Sequence, residues 1–193
     1  HIIITYGTSW IYRNIATNEI VANCHKVPQK EFSKEILSVE TIEKSIQNTL
    51  DLIQKINPNV KFIFTVSPVR HLKDGFVENQ LSKAHLITAI HQILQSAIYF
   101  PSYEIMMDEL RDYRFYAEDM IHPNAVAIDY IWQRFSETFI SEESHSIMKE
   151  VETIQKGLAH RPFNPNSASH QQFLSKLNDK MVKLQKQFPQ IQF

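Results

Sequence analysis

Val60-Lys61-Phe62-Ile63-Phe64-Thr65-Val66, closed by Ser67-Pro68, is the stretch that decides how this chain folds. It is rich in β-branched and aromatic residues and shows no alternation of polarity. That is the pattern of a strand covered on both faces, and proline ends it. Before it, Asn57-Pro58 closes a helix that Ser38 caps and whose apolar stripe is Val39, Ile42, Ile46, Leu50, Ile53 and Ile56. Further back, Ile2-Ile3-Ile4-Thr5-Tyr6 repeats the same doubly covered strand pattern and stops at Gly7. Residues 11–37, of mixed polarity and interrupted by Pro28, read as loop. After Ser67, a second amphipathic helix is expected from about Gln80 to Ala97, carrying Leu81, Leu86, Ile90, Ile93, Leu94 and Ala97. A short strand at Ile98-Tyr99-Phe100 and a brief helix from Ser102 to Leu110 follow. Strand–helix–strand–helix–strand with connections of this length predicts an α/β fold, its parallel sheet sandwiched between helices.

Ligands of such sheets bind beyond the carboxyl ends of the strands. Three polar clusters fall there: Gly7-Thr8-Ser9-Trp10, Ser67-Pro68-Val69-Arg70-His71, and Asp119-Met120-Ile121-His122-Pro123. The third carries the clearest chemistry. A carboxylate that accepts the Nδ1 proton of a histidine leaves Nε2 free to take a proton from a hydroxyl nucleophile. The same spacing also occurs as an i, i+3 contact on a helix, as a pair of metal ligands or as a cap. Pro123 disfavours helix at His122 and so places it in a loop. Asn124 then caps a helix with Ala127, Ile131, Phe135 and Phe139 on one face, backed by Tyr130 and Trp132. A loop held by a rigid element is where catalytic groups gather.

Acidic residues number 21 and basic ones 20, with no single-sign run, so neither nucleic acid nor an anionic membrane is indicated as partner. The single cysteine, Cys24, excludes an intrachain disulfide and fits a reducing, cytoplasmic setting. No apolar run is long enough to span a bilayer. Only Gly7, Gly75 and Gly157 are glycines, which excludes a Gly-rich phosphate loop, and no cofactor is expected.

Beyond residue 140 the character changes. A polar helix over Ser141–Leu158 has a thin stripe of Ile147, Val151, Ile154 and Leu158. His160-Arg161-Pro162-Phe163-Asn164-Pro165 breaks the pattern, and Ser169–Phe188 reads as another amphipathic helix using Phe173, Leu177, Met181 and Leu184. Residues 1–140 therefore read as the sheet domain and 141–193 as a helical extension, folded back or offered for homo-oligomerisation.

The runs Asn23-Cys24-His25-Lys26, Thr65 to Gly75, Tyr99 to Asp108 and Leu110 to Pro123 together resemble the bacterial GSCFA domain, which in turn looks like a branch of the SGNH/GDSL-type esterase superfamily. The resemblance covers essentially the whole chain. It implies a flavodoxin-like three-layer α/β/α fold, with Asp119 and His122 matching the superfamily's terminal Asp-x-x-His block. It also implies that the nucleophilic serine of a Gly-Ser-Cys-Phe-Ala motif and the first strands lie upstream of His1, since this chain has no such motif. The superfamily's Gly-x-Asn-Asp block reads Gly7-Thr8-Ser9-Trp10 here, without the asparagine. Thr8, Ser9 or Asn23 would then supply oxyanion donors, each worth about 3–4 kcal/mol of barrier.

Ser9 follows a strand, but Trp10-Ile11-Tyr12 is not the small-residue turn of a nucleophile elbow. Ser67 precedes proline and suits a turn. Arg70 and His71 suit a substrate carboxylate or sugar hydroxyls, or alternatively a solvated pair closing a loop. Asp108, Arg111, Asp112 and Arg114 read as an ion-pair cluster shaping the dyad loop, and His85 and His91 as surface or packing residues. Three functions fit: a serine hydrolase acting on a small-molecule or saccharide O-acyl ester; a ligand- or glycan-binding domain on the same fold without catalysis; and a metal-dependent hydrolase drawing on Cys24, His25, His71, Asp119 and His122. On the first reading residues 1–193 alone are inert toward esters, and with an unpaired apolar edge at Ile2–Tyr6 they are unstable in isolation.

Overall fold

The computed structural model describes residues 1–21, 23–24, 26–94 and 97–193. In chain order the strands are β1 (Ile2–Tyr6), β2 (Trp10–Asn14), β3 (Ile20–Val21), β4 (Phe32–Ile36), β5 (Phe62–Val66) and β6 (Ile98–Phe100). The helices are α1 (Val39–Ile56), α2 (Phe76–Gln92), α3 (Ser102–Glu104), α4 (Ala125–Phe139), α5 (Glu142–Ala159) and α6 (Ala168–Gln187). The chain divides into two compact units, His1–Phe135 and Ser136–Phe193.

In the first unit β1, β5 and β6 form a parallel sheet in that order, with Ile4 opposite Phe64 and Phe64 opposite Tyr99. Successive side chains point to opposite faces, so Ile2, Ile4, Tyr6, Phe62, Phe64 and Val66 share one face. There they pack with Ile42, Ile46 and Leu50 of α1 and Leu86, Ala89 and Ile90 of α2. α1 starts as the sequence indicates, with the Ser38 hydroxyl accepting the amide of Thr41, and Asn57 caps its end. Leu50 is fully buried; truncating it to alanine would cost about 2–5 kcal/mol.

β5 is buried along its whole length, as its composition demands. β1 departs from the expectation of two covered faces, because Ile3 is 54% exposed. Among the described residues β1 is an edge strand, and its second face looks into an open apolar groove. Thr65, Phe100, Ile131, Trp132 and Phe135 line that groove with it, and its volume is about 350 Å³.

Residues 11–37, expected as loop, carry three strands joined by turns. β2, β3 and β4 form an antiparallel sheet in the order β3-β2-β4, with Tyr12 opposite Val21 and Lys34. Its hairpin is built by asparagines: the Asn14 side-chain carbonyl accepts the amides of Ala16 and Thr17, and Asn18 takes φ 58°. All of β2 is half-buried, which is why the alternation of polarity that marks a half-exposed strand is missing from its sequence.

α2 begins earlier and ends earlier than the Gln80–Ala97 expectation. Gly75, at φ 106°, is its N-cap, a conformation that glycine adopts without strain. Leu81 proves 46% exposed. The buried face instead carries Asn79, Ser82 and Lys83 in its first half and Leu86, Ala89 and Ile90 in its second. The polar half covers the carboxyl ends of β1 and β5. The brief helix after β6 is α3 followed by a wide turn, Ile105–Glu109, in which the Leu110 amide reaches back to the Ile105 carbonyl.

In the second unit α5 and α6 close on Ile154, Leu177 and Leu184. Gly157 permits this close approach, since a Cβ there would stand 2.7 Å from Cδ1 of Leu177. Among the described residues no helix is long and apolar enough to cross a membrane.

Candidate active site

The loop between Tyr116 and Pro123, which pair in an isolated antiparallel bridge, is held almost wholly by its own backbone and by Asp119. The Ala117 amide donates to the His122 carbonyl at 2.7 Å, and the Met120 amide to the Ala117 carbonyl at 2.9 Å. Met120 sits at φ 56°, outside the range a β-carbon prefers. Oδ1 of Asp119 repays that strain by accepting the amides of Ile121 (2.9 Å) and His122 (3.0 Å). Its Oδ2 lies 2.6 Å from Nδ1 of His122. The two backbone amides and the imidazole hold the Asp119 pKa down to about 2. The carboxylate is thus ionised at neutral pH and can only accept, so Nδ1 must be the donor and the lone pair of a neutral His122 lies on Nε2. The His122 side chain is 59% exposed, and among the described residues Nε2 has no protein partner. Asn124 ends the loop: its Oδ1 accepts the Ala127 amide at 3.1 Å, capping α4, while its Nδ2 donates to the Arg114 carbonyl at 2.7 Å.

The loop stands at the carboxyl ends of β1 and β5. The Arg70 amide donates to the Ile121 carbonyl at 3.3 Å, and the ring of His71 lies against Gly7, 3.5 Å from where a Cβ would be. Burial is the main cause lowering the His71 pKa, followed by the positive charge of Lys83. The Arg70 guanidinium lies over the ring of Tyr116 at 4.1 Å and over that of Tyr113 at 5.5 Å. Tyr116 is 6% exposed, and its hydroxyl has no hydrogen-bond partner among the described residues.

Under the mouth, α2 clamps the strand ends. Lys83 is fully buried, and its Nζ donates to the carbonyls of Gly7 (2.6 Å) and Ser67 (2.7 Å). Desolvation lowers its pKa to about 8. Ser82 accepts the Ser9 amide at 2.8 Å, and its hydroxyl lies 2.9 Å from that of Thr8. Ser9 is 1% exposed, and its hydroxyl donates to the Ser82 carbonyl at 3.3 Å. The hydroxyl of Ser67 accepts the Val69 amide at 3.3 Å, turning the chain after β5.

Asp119, His122, Arg70 and His71 therefore meet at one mouth, with Thr8 and Ser9 bonded to α2 under it. Asn23 is exposed in the loop after β3. His25 lies outside the described residues, and among the described ones no three metal-ligating side chains come together. The expected four-residue ion-pair cluster reduces to Asp112 with Arg114 at 3.1 Å, because Arg111 turns its Nε to the Asp108 carbonyl instead. Lys83 and Tyr116 were not singled out in the sequence. A signal for Lys83 was there, since it precedes Leu86 by three residues and Ile90 by seven, on the buried stripe of α2.

The model of the GSCFA family matches residues 1–135, and that of the GSCFA domain protein, C-terminal domain, matches residues 151–193. No curated protein and no solved structure matches the chain.

Proposed function

This chain belongs to the GSCFA family, and from that premise we propose that Asp119 and His122 are the acid–base pair of an SGNH-like serine hydrolase acting on an O-acyl ester of a small molecule or saccharide. One observation supports this reading above the others: an ionised carboxylate holds Nδ1 at 2.6 Å while Nε2 stays exposed. In the reaction, Nε2 of His122 takes the proton of a seryl hydroxyl as its oxygen attacks the ester carbonyl. The imidazolium then returns that proton to the departing alcohol oxygen. Water reverses the sequence on the acyl-enzyme, and Asp119 remains ionised throughout.

The serine is assigned to polypeptide outside residues 1–193. Ser9 is buried and bonded to Ser82, and Ser102, 6% exposed, donates to the Val66 carbonyl at 2.7 Å. β1 has β5 on one side only among the described residues. Thr8 and Ser9 enter the reading as the fixed turn next to the pocket, and Asn23, Arg70 and His71 as the groups for oxyanion and substrate. A cytoplasmic setting, resting on the lone Cys24, and self-association through α5 and α6 complete the proposal.

The engagement of Ser9 equally suits a ligand-binding domain without catalysis. A fluorophosphonate probe applied to the full-length natural protein separates the two. Labelling of the wild type and its loss in His122→Ala, with unchanged melting, is the expected result. An intact, well-folded wild type that never labels would leave the binding function and remove the hydrolase.

A further inference from the structure

Arginine side chains in the first unit are nearly all occupied. Arg13 pairs with Glu35, Arg114 with Asp112 and Arg134 with Glu109, while Arg111 donates to the Asp108 carbonyl. Arg70 differs. Its guanidinium has no carboxylate or carbonyl acceptor among the described residues, yet it is not loose. The ring of Tyr116 holds one face at 4.1 Å and Tyr113 lies at 5.5 Å. The backbone of the same residue is tied to Ile121, next to His122 in the chain. A guanidinium fixed in plane by aromatic stacking loses little freedom when its fork is filled, and the fork matches a carboxylate bidentately. The surroundings favour an anion as well. The buried Lys83 ammonium acts on His71 beside it. Of the carboxylates here, Asp74, which also acts on His71, is paired with Lys34, and Asp119 is engaged by two amides and the imidazole.

We infer that Arg70 anchors a carboxylate of the substrate, so that the ester processed at this mouth belongs to an acidic molecule such as a carboxylated sugar or an acidic acyl group. The inference rests on the hydrolase reading for the word substrate only, since the anchor itself needs no turnover. Tyr116 is the platform and acts through Arg70. Its Phe variant keeps the ring and should keep the anchor, whereas a leucine there should release the guanidinium.

The test uses the full-length natural protein with glucuronate, glucose and inorganic sulfate as probes, followed by amide NMR and calorimetry. Glucuronate should shift the amides of Arg70 and Ile121 and bind at least 10-fold more tightly than glucose. Arg70→Gln should lose most of that preference, and Arg70→Lys, which keeps the charge without the fork, should fall between. Equal binding of glucose, sulfate binding as tightly as glucuronate, or an unchanged glucuronate affinity in a folded Arg70→Gln protein overturns the proposal. Binding that persists while no fluorophosphonate labelling is seen would overturn the hydrolase reading alone and leave the anchor standing.

Discussion

The floor and the rim of the sheet mouth hold charge in opposite ways. On the floor, Lys83 is a fully buried cation satisfied by two backbone carbonyls and by no carboxylate among the described residues. On the rim, Asp119 and His122 form a half-exposed pair that draws its order from three hydrogen bonds within four residues. The buried cation is expensive to desolvate, so its role is to join elements far apart in sequence: Gly7, Ser67 and α2. The exposed pair leaves Nε2 of His122 open to solvent, which is what the proposed proton transfer requires. Floor residues should therefore govern stability, and rim residues activity.

The sharpest break of this contrast is Asp119→Asn. An amide at that position no longer fixes the Nδ1–H tautomer, and on the proposed hydrolase reading ester turnover by the full-length protein should fall about 10³- to 10⁴-fold. Melting should hardly move, because an exposed pair adds little to stability. A large fall in melting temperature would show that the rim is structural. Next in size is Lys83→Ala, which leaves the Gly7 and Ser67 carbonyls without their donor and opens a cavity. Chemical denaturation should register a loss of about 2–4 kcal/mol.

The third test is pH. The Lys83 pKa is about 8 in the folded chain against 10.5 as its reference. Between these values the unfolded state binds more protons, so stability should rise with pH, by at most about 3 kcal/mol. Burial raises the pKa of Tyr6, Tyr99 and Tyr103, and this acts in the opposite direction above pH 10. The rise is therefore read between 8 and 10, and it should vanish in Lys83→Met. The smallest effect is expected from Tyr116→Phe, which removes a buried hydroxyl without a partner among the described residues. It should gain about 1 kcal/mol in the same denaturation assay and leave turnover unchanged; a loss would mean that the hydroxyl is used.

How much was legible in the sequence follows from the range of the forces involved. The dyad could be read because its geometry is local: Pro123, Asn124 and the three-residue spacing act within one loop. β5, α1 and β6 could be read because periodicity and caps are local too, and the GSCFA resemblance held over residues 1–135 and 151–193. The antiparallel sheet was missed because its strands are short and partly exposed and take their hydrogen bonds from partners up to 26 residues away, as Trp10 does from Ile36. The polar face of α2 was missed for a related reason. Lys83 resembles a surface residue until Gly7 and Ser67, 76 and 16 residues away, bring it their carbonyls.

The sequence by itself determined the parallel αβ order and the identity of the acid–imidazole pair, since strand burial, helix caps and a proline-bounded turn are written in neighbouring residues. Tertiary structure alone decided that Ser9 is bonded to α2, that a lysine lies under the mouth, and that Arg70 lies over Tyr116 with no carboxylate or carbonyl acceptor among the described residues. Those are contacts between distant segments, and their energies depend on burial and on partners that no local pattern records.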